Sequence, residues 1–90
     1  MSQNFLDNPT FLAELRRDML RFANMQLRDQ GQAEDAVQEA LAGALQGKDR
    51  FDSRASVRTW VLSILKNKIV DELRRRIRER TVMVENENDD

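Results

Sequence analysis

The residues best suited to chemistry in this chain are cations interleaved with aromatic rings. They fall in one polar segment and the helix predicted after it: Arg54, Arg58, Lys66, Lys68, Arg74, Arg75, Arg76, Arg78 and Arg80, with Phe51 and Trp60 among them. Lysine and arginine neutralise phosphates, and aromatic rings stack on unpaired bases. The combination indicates binding of single-stranded nucleic acid. The same residues also fit a solvated helix end that complements the helix dipole, with Trp60 in the core, which is our preferred position for that ring.

A second group of polar residues is acidic. Glu34, Asp35, Gln38 and Glu39 fall on one side of a predicted helix. Such a side is either solvated surface or a docking site for a cationic partner. We expect no metal site, because no histidine or second carboxylate-bearing helix is there to close a coordination shell.

Catalysis ranks last among the functions considered. The chain has no histidine and no cysteine, and it contains no phosphate loop or nucleotide fingerprint. Asp71 and Glu72 are adjacent, so on a helix they point about 100° apart and cannot act as a carboxylate pair. We therefore expect no enzyme activity and no cofactor.

The elements that must position these groups are helical. Ninety residues suffice for one small domain, and three glycines, one proline and 34% charged residues are typical of an all-α protein. The net charge of −1 conceals a segregation: residues 1–47 carry four basic and seven acidic groups, residues 48–80 eleven and five, and residues 81–90 none and four. The absence of cysteine, of a signal sequence and of a long apolar run predicts a cytoplasmic protein that does not enter a membrane.

Two helices are predicted in the first half of the chain. The first begins at Pro9, with Asn8 or Asp7 as N-cap, and runs to about Gln30, where Gly31 stops it. Its apolar stripe is Phe11, Leu12, Leu15, Met19, Phe22, Ala23 and Leu27. The second spans Gln32 to about Gln46 and buries Ala33, Val37, Ala40, Leu41, Ala44 and Leu45. Two short-linked amphipathic helices should form an antiparallel hairpin.

A third, longer helix should follow the polar loop at residues 47–56. Ser56 is its expected N-cap, and Val57, Trp60, Val61, Ile64 and Leu65 form its apolar face. Thr59, Ser63, Lys66, Asn67 and Arg74 fall on the polar side. We predict a flexible N-terminus at 1–8, a bundle of three or four helices at 9–80, and at 81–90 an acidic, disordered tail or linker.

The ordered succession of four short motifs resembles region 2 of the extracytoplasmic-function (ECF) group of sigma-70-like factors. The motifs are Ala33 to Leu41, then Arg50-Phe51-Asp52, then Ser56 to Ile64, and finally Asn67 with Asp71 to Arg76. The resemblance covers about residues 10–78. It implies a subunit that guides RNA polymerase to promoters and catalyses nothing itself.

The resemblance also implies roles for individual residues. The helix with Glu34, Asp35, Gln38 and Glu39 would bind the clamp coiled coil of the largest polymerase subunit. The loop at Phe51 and the start of the next helix, which includes Thr59 and Ser63, would capture a base flipped from the non-template strand of the −10 region. Asn67 would read base edges, and Arg54, Arg58, Lys66 and Arg74 would hold phosphates.

Family members carry a second helical domain that reads the −35 element, and an anti-sigma factor is a partner that the family implies. Nothing after Arg80 can be that second domain, so we expect a fragment that ends in the interdomain linker. The main alternative is a helical protein-interaction module without DNA specificity. A duplex-reading helix-turn-helix is disfavoured, because a ten-residue loop rather than a tight turn precedes the third helix.

Overall fold

Three α-helices in a bundle make up the described part of the protein. The computed structural model describes the backbone of residues 8–47 and 56–88, and side chains within 8–47 and 56–81. The helices are α1 (Pro9–Leu27), α2 (Gln30–Gln46) and α3 (Val57–Asn88). The all-α class and the plan of a helical hairpin plus a long third helix are confirmed.

Helix α1 starts as the sequence predicts. The Asn8 side chain accepts a hydrogen bond from the Phe11 backbone N–H at 3.0 Å, and Pro9 occupies the first helical position. This cap satisfies one of the backbone donors that the first turn leaves without an intrahelical partner.

The predicted end of α1 at Gln30 and Gly31 is wrong. The helix ends at Leu27, and Arg28 adopts the left-handed conformation with φ of 54° while its N–H donates to the Asn24 carbonyl. Asp29 then caps α2 by accepting from the Gln32 N–H at 2.9 Å. Because this cap starts α2 at Gln30, Gly31 lies inside the first turn of α2 instead of terminating α1.

Helix α3 begins at the predicted cap and ends later than predicted. Ser56 Oγ accepts from the Thr59 N–H at 3.0 Å. Beyond Arg80, where the sequence predicted a disordered tail, the helix continues to Asn88. The physical reason is that no glycine or proline follows Gly47 to break it, and Thr81 Oγ1 donates to the Ile77 carbonyl at 2.9 Å, a bond compatible with continued helix.

Each of the three helices contributes one buried side to the core. Its buried residues are Leu15, Met19, Ala23, Leu27, Ala33, Ala36, Val37, Ala40, Ala44, Val61, Leu65 and Ile69. Most were predicted, whereas Ala36 was not. Leu45, predicted to be buried, is 42% exposed because it lies about 100° around the helix from Ala44, outside the packed line.

Contacts between helices define their directions. A β-carbon added at Gly43 would lie 3.7 Å from Ile64 Cγ2, and one at Gly47 would lie 3.6 Å from the Trp60 ring. Later residues of α2 thus meet earlier residues of α3, so the two helices run antiparallel. Trp60 is partly buried against the core, in agreement with the position that we preferred for its ring. None of the helices in the described ranges is both long enough and apolar enough to span a membrane.

Candidate nucleic-acid interface

The outer face of α3, defined as Thr59, Ser63, Lys66, Asn67 and Arg74, is exposed to solvent at every position. The opposite side of the same helix carries the buried residues Val61, Leu65 and Ile69. At about 100° per residue, helix geometry places the two sets on opposing sides. A ligand can therefore reach all five side chains without disturbing the core.

Two hydroxyls on this face are oriented by local hydrogen bonds. Ser63 Oγ donates to the Trp60 carbonyl at 2.6 Å, and Ser56 Oγ donates to Thr59 Oγ1 at 2.9 Å. The Ser63 hydroxyl proton is therefore engaged, and its oxygen can still accept a hydrogen bond from a ligand. The Thr59 hydroxyl accepts from Ser56, and its own proton can still be donated to a ligand. Asn67 makes no side-chain hydrogen bond to any other described residue, so its amide has both donors and acceptor available.

A groove of about 380 Å³ separates the start of α3 from α1. Phe22 and Leu62 line it together with polar and charged side chains from both helices: Asp18, Arg58, Thr59, Ser63 and Lys66. Arg58 Nη1 donates to Asp18 Oδ2 at 2.6 Å. This hydrogen bond, together with the charges of Arg58, Arg17 and Arg21, holds the pKa of Asp18 below its ordinary value.

The arginine run on α3 divides into paired and unpaired members. Arg75 donates to Glu72 at 2.8 Å, and Arg76 lies 4.0 Å from the same carboxylate and also donates to the side-chain carbonyl of Gln32 on α2. No ion pair joins Arg74 to another described residue. Arg75 and Arg76 therefore have intramolecular partners, while Arg74 is available to a phosphate.

The acidic face of α2, defined as Glu34, Asp35, Gln38 and Glu39, is exposed at all four positions. It lies outside the buried line of Ala33, Val37 and Ala40. Within the described ranges none of the three acids forms an ion pair, so the negative charge is not neutralised locally.

The acidic face and the outer face lie on different helices, α2 and α3. The pKa of Arg75 is raised, first by its hydrogen bond to Glu72 and to a smaller extent by the charge of Glu39. The charge of Glu39, a member of the acidic face, therefore acts on Arg75 of α3.

Phe51 and Arg54, both predicted to contact DNA, lie outside the described residues. Asp18 is the residue that sequence reasoning missed. Forty positions separate it from Arg58, so only the packing of α1 on α3 brings the two together. The available signal was an acid among the arginines of the first helix, Arg16, Arg17 and Arg21.

Comparison with known proteins identifies the class. The chain belongs to the sigma-70 region 2 family, whose model matches residues 11–79. It is therefore an RNA polymerase sigma factor domain.

Several individual sigma factors are also similar to the chain in sequence. The chain is 42% identical over 65 residues to a probable RNA polymerase sigma factor of Haemophilus influenzae, a match that covers 72% of this chain and 34% of that protein. It is 38% identical over 64 residues to the ECF RNA polymerase sigma factor SigC of Mycobacterium tuberculosis, covering 71% and 34%. It is 33% identical over 59 residues to the ECF RNA polymerase sigma factor SigX of Bacillus subtilis, covering 66% and 30%.

These matches confirm the resemblance to region 2 of the ECF sigma factors. The chain spans about a third of the length of these relatives. No solved structure matches the chain significantly.

Proposed function

We propose that this domain binds core RNA polymerase through the acidic face of α2 and holds the opened −10 region of a promoter on the outer face of α3. The observation that carries the proposal is the exposure of Lys66, Asn67 and Arg74 on the side of α3 that faces away from the core. A helix packed on one side and polar on the other can present reading groups in a fixed arrangement. Such a role is performed in the bacterial cytoplasm.

The chemistry of the outer face suits an unpaired strand. The Asn67 amide offers a donor and an acceptor side by side, which is the pattern needed to read the edge of a base. Lys66 and Arg74 offer charges to phosphates, which set the register of the strand without conveying sequence. Asn67 and Arg74 are seven residues apart and so lie on nearly the same side of α3, roughly 10 Å apart along its axis.

Strand separation follows from differential binding in this proposal. The domain holds an unstacked strand and has no equivalent site for the closed duplex, so binding shifts the equilibrium towards the open form. The domain contributes no covalent step, and RNA synthesis is left to the polymerase.

The acidic face supplies the other half of the proposed function. Its exposed carboxylates, which form no ion pair with another described residue, would complement a basic partner surface, and the family resemblance implies that this surface is the clamp coiled coil of the largest subunit. We also propose that an anti-sigma factor inhibits the domain by covering one of these two faces. A protein that binds the domain and leaves core polymerase and the strand still bound would contradict that assignment.

Strand reading can be tested by selection followed by titration. Single strands enriched by the domain from a random pool are compared with scrambled strands and with the duplex at several salt concentrations. Asn67→Ala should remove about 1–3 kcal/mol of preference for the selected strand. Arg74→Ala should weaken every strand alike and lower the salt slope by about 0.7, the value for one single-strand phosphate contact.

Equal affinity of the original domain for selected, scrambled and duplex DNA would refute strand reading. So would an unchanged preference in Asn67→Ala. The thermal melting temperature of both variants should match that of the original domain, because both side chains are exposed.

Polymerase docking needs a separate experiment. Asp35→Arg with Glu39→Arg should abolish retention of core polymerase on the immobilised domain, because the change reverses the sign of the acidic face. Glu14→Arg with Asp71→Arg is the matched control: both acids are exposed, neither lies on the acidic face, and the net charge changes equally. Retention by the first variant, or its loss in both variants, would contradict the assigned docking surface.

A further inference from the structure

Asp18 places a negative charge beside the cations of the α1–α3 groove. It lines the α1–α3 groove together with Arg58 and Lys66, and the charges of Arg17 and Arg21 also act on it. The Asp18 carboxylate receives a hydrogen bond of 2.6 Å from Arg58. The Asp18 carboxylate is thus already bound to Arg58, one of the cations expected to hold a phosphate.

In this pair, the Asp18 carboxylate competes with a strand phosphate for the guanidinium group of Arg58. Carboxylate and phosphate oxygens accept the same charge-assisted hydrogen bonds from a guanidinium group. The Arg58 side chain remains 50% exposed and that of Asp18 26% exposed, so a strand can approach the pair from solvent. Exposed ion pairs contribute little to stability, and a strand phosphate can therefore replace Asp18 without unfolding α1 from α3.

The lowered pKa of Asp18 supports this interpretation. Aspartate is ionised near neutral pH in any case, and the hydrogen bond from Arg58 and the nearby arginine charges lower the pKa of Asp18 further, so its charged form is the one bound to Arg58. The competing charge is therefore present whenever the domain meets a nucleic acid near neutral pH.

We propose that Asp18 limits the affinity of the nucleic-acid interface for a strand. Its carboxylate accepts the hydrogen bond that Arg58 would otherwise donate to a strand phosphate, until a bound strand displaces it. The inference rests on the proposed function, because it takes the α1–α3 groove to be part of the strand-binding surface. Its consequence is that Arg58 attracts passing nucleic acid less than an unpaired arginine would. Strand affinity is then limited from within the domain.

The test measures binding of a fluorescent oligo-dT strand, which offers phosphates without a promoter sequence, as a function of salt. Asp18→Asn should raise the affinity about threefold and steepen the salt slope by about 0.7, as one added single-strand phosphate contact would. Glu14→Gln is the matched control: it removes the same charge from α1 one turn away, at an exposed position that forms no described ion pair. It should leave the slope unchanged and raise the affinity less.

A double-mutant cycle links the effect to its partner. In an Arg58→Gln background, Asp18→Asn should behave like Glu14→Gln, because the group that Asp18 occupies is gone. A gain from Asp18→Asn no larger than that from Glu14→Gln would overturn the proposal. So would weaker binding in Asp18→Asn, or an undiminished gain in the Arg58→Gln background.

The outcome is distinguishable from failure of the proposed function. Oligo-dT binding reports phosphate contacts alone, so coupling between Asp18 and Arg58 can be found even if selected and scrambled strands bind equally. Conversely, a sequence preference that depends on Asn67 can persist when that coupling is absent. Thermal melting of Asp18→Asn confirms that a folded domain is compared in each case.

Discussion

Gly43→Ala should stabilise the domain by about 1 kcal/mol. Glycine inside a helix costs about 0.5–1 kcal/mol of stability relative to alanine, because glycine loses more backbone freedom on folding. A β-carbon at this position would lie 3.7 Å from Ile64 Cγ2, an ordinary van der Waals contact, and no strained backbone angle opposes it. The added methyl group is half-buried between α2 and α3 and gains part of the roughly 0.8 kcal/mol expected for full burial.

The assay is urea denaturation followed by helical circular dichroism, with thermal melting as a second measurement. A gain of about 1 kcal/mol raises the melting temperature of a domain of this size by about 4–8 °C. Gly47→Ala is the contrasting variant: its β-carbon would lie 3.2 Å from the Gly43 carbonyl oxygen, which is backbone and cannot move away easily. We expect no gain there.

Unchanged or reduced stability in Gly43→Ala would refute this reasoning, since it would mean that α2 and α3 approach more closely at Ile64 than the structure has them. The substitution should also leave strand affinity unchanged, because Gly43 faces α3 from α2 and is not part of the outer face.

Three further substitutions test the packing and the helix ends, each by denaturation of the purified domain. Leu65→Ala removes a side chain with no exposed surface and should cost about 2–5 kcal/mol, enough to unfold much of a small domain; a cost below 1 kcal/mol would contradict its burial. Asp29→Ala removes the acceptor for the Gln32 N–H and should cost about 1 kcal/mol, whereas Asp29→Asn should cost little. Arg28→Gly should gain up to about 1 kcal/mol by relieving a left-handed non-glycine residue, and a loss would argue against that conformation.

Local signals in the sequence predicted most of the fold. The starts of α1 and α3 follow from cap residues placed before apolar stripes, and Asn8 and Ser56 make the expected bonds. The break between α1 and α2 was misplaced because two local signals compete there. A glycine favours a helix end, but Asp29 as an N-cap starts the next helix two residues earlier, leaving Arg28 to make the turn.

The candidate site was predictable to the extent that it depends on one helix at a time. The polar side of the third helix follows from a period of 3.6 residues, and every described member of the outer face is exposed as that period requires. Contacts between helices carry no such local signal. The Asp18–Arg58 pair and the bond from Arg76 to Gln32 depend on how far each helix is shifted along its neighbour. The burial of Ala36 and the exposure of Leu45 depend on the same packing.

The packing of α3 also explains where on this helix base reading belongs. Val61, Leu65 and Ile69 are buried, so the backbone between them is held by the core, and Asn67 lies within that interval. Hydrogen bonds to a base edge require a fixed donor and acceptor, and a misplacement of 1 Å would weaken them. Arg74 lies five residues beyond Ile69, the last fully buried side chain among the described residues of α3. A phosphate contact needs less exact placement of the backbone than a base contact, because it carries no sequence information and the long arginine side chain can bring its guanidinium group to the phosphate. The order along α3, with an amide between fully buried positions and an arginine farther along the helix, therefore fits strand reading at Asn67 and strand holding at Arg74.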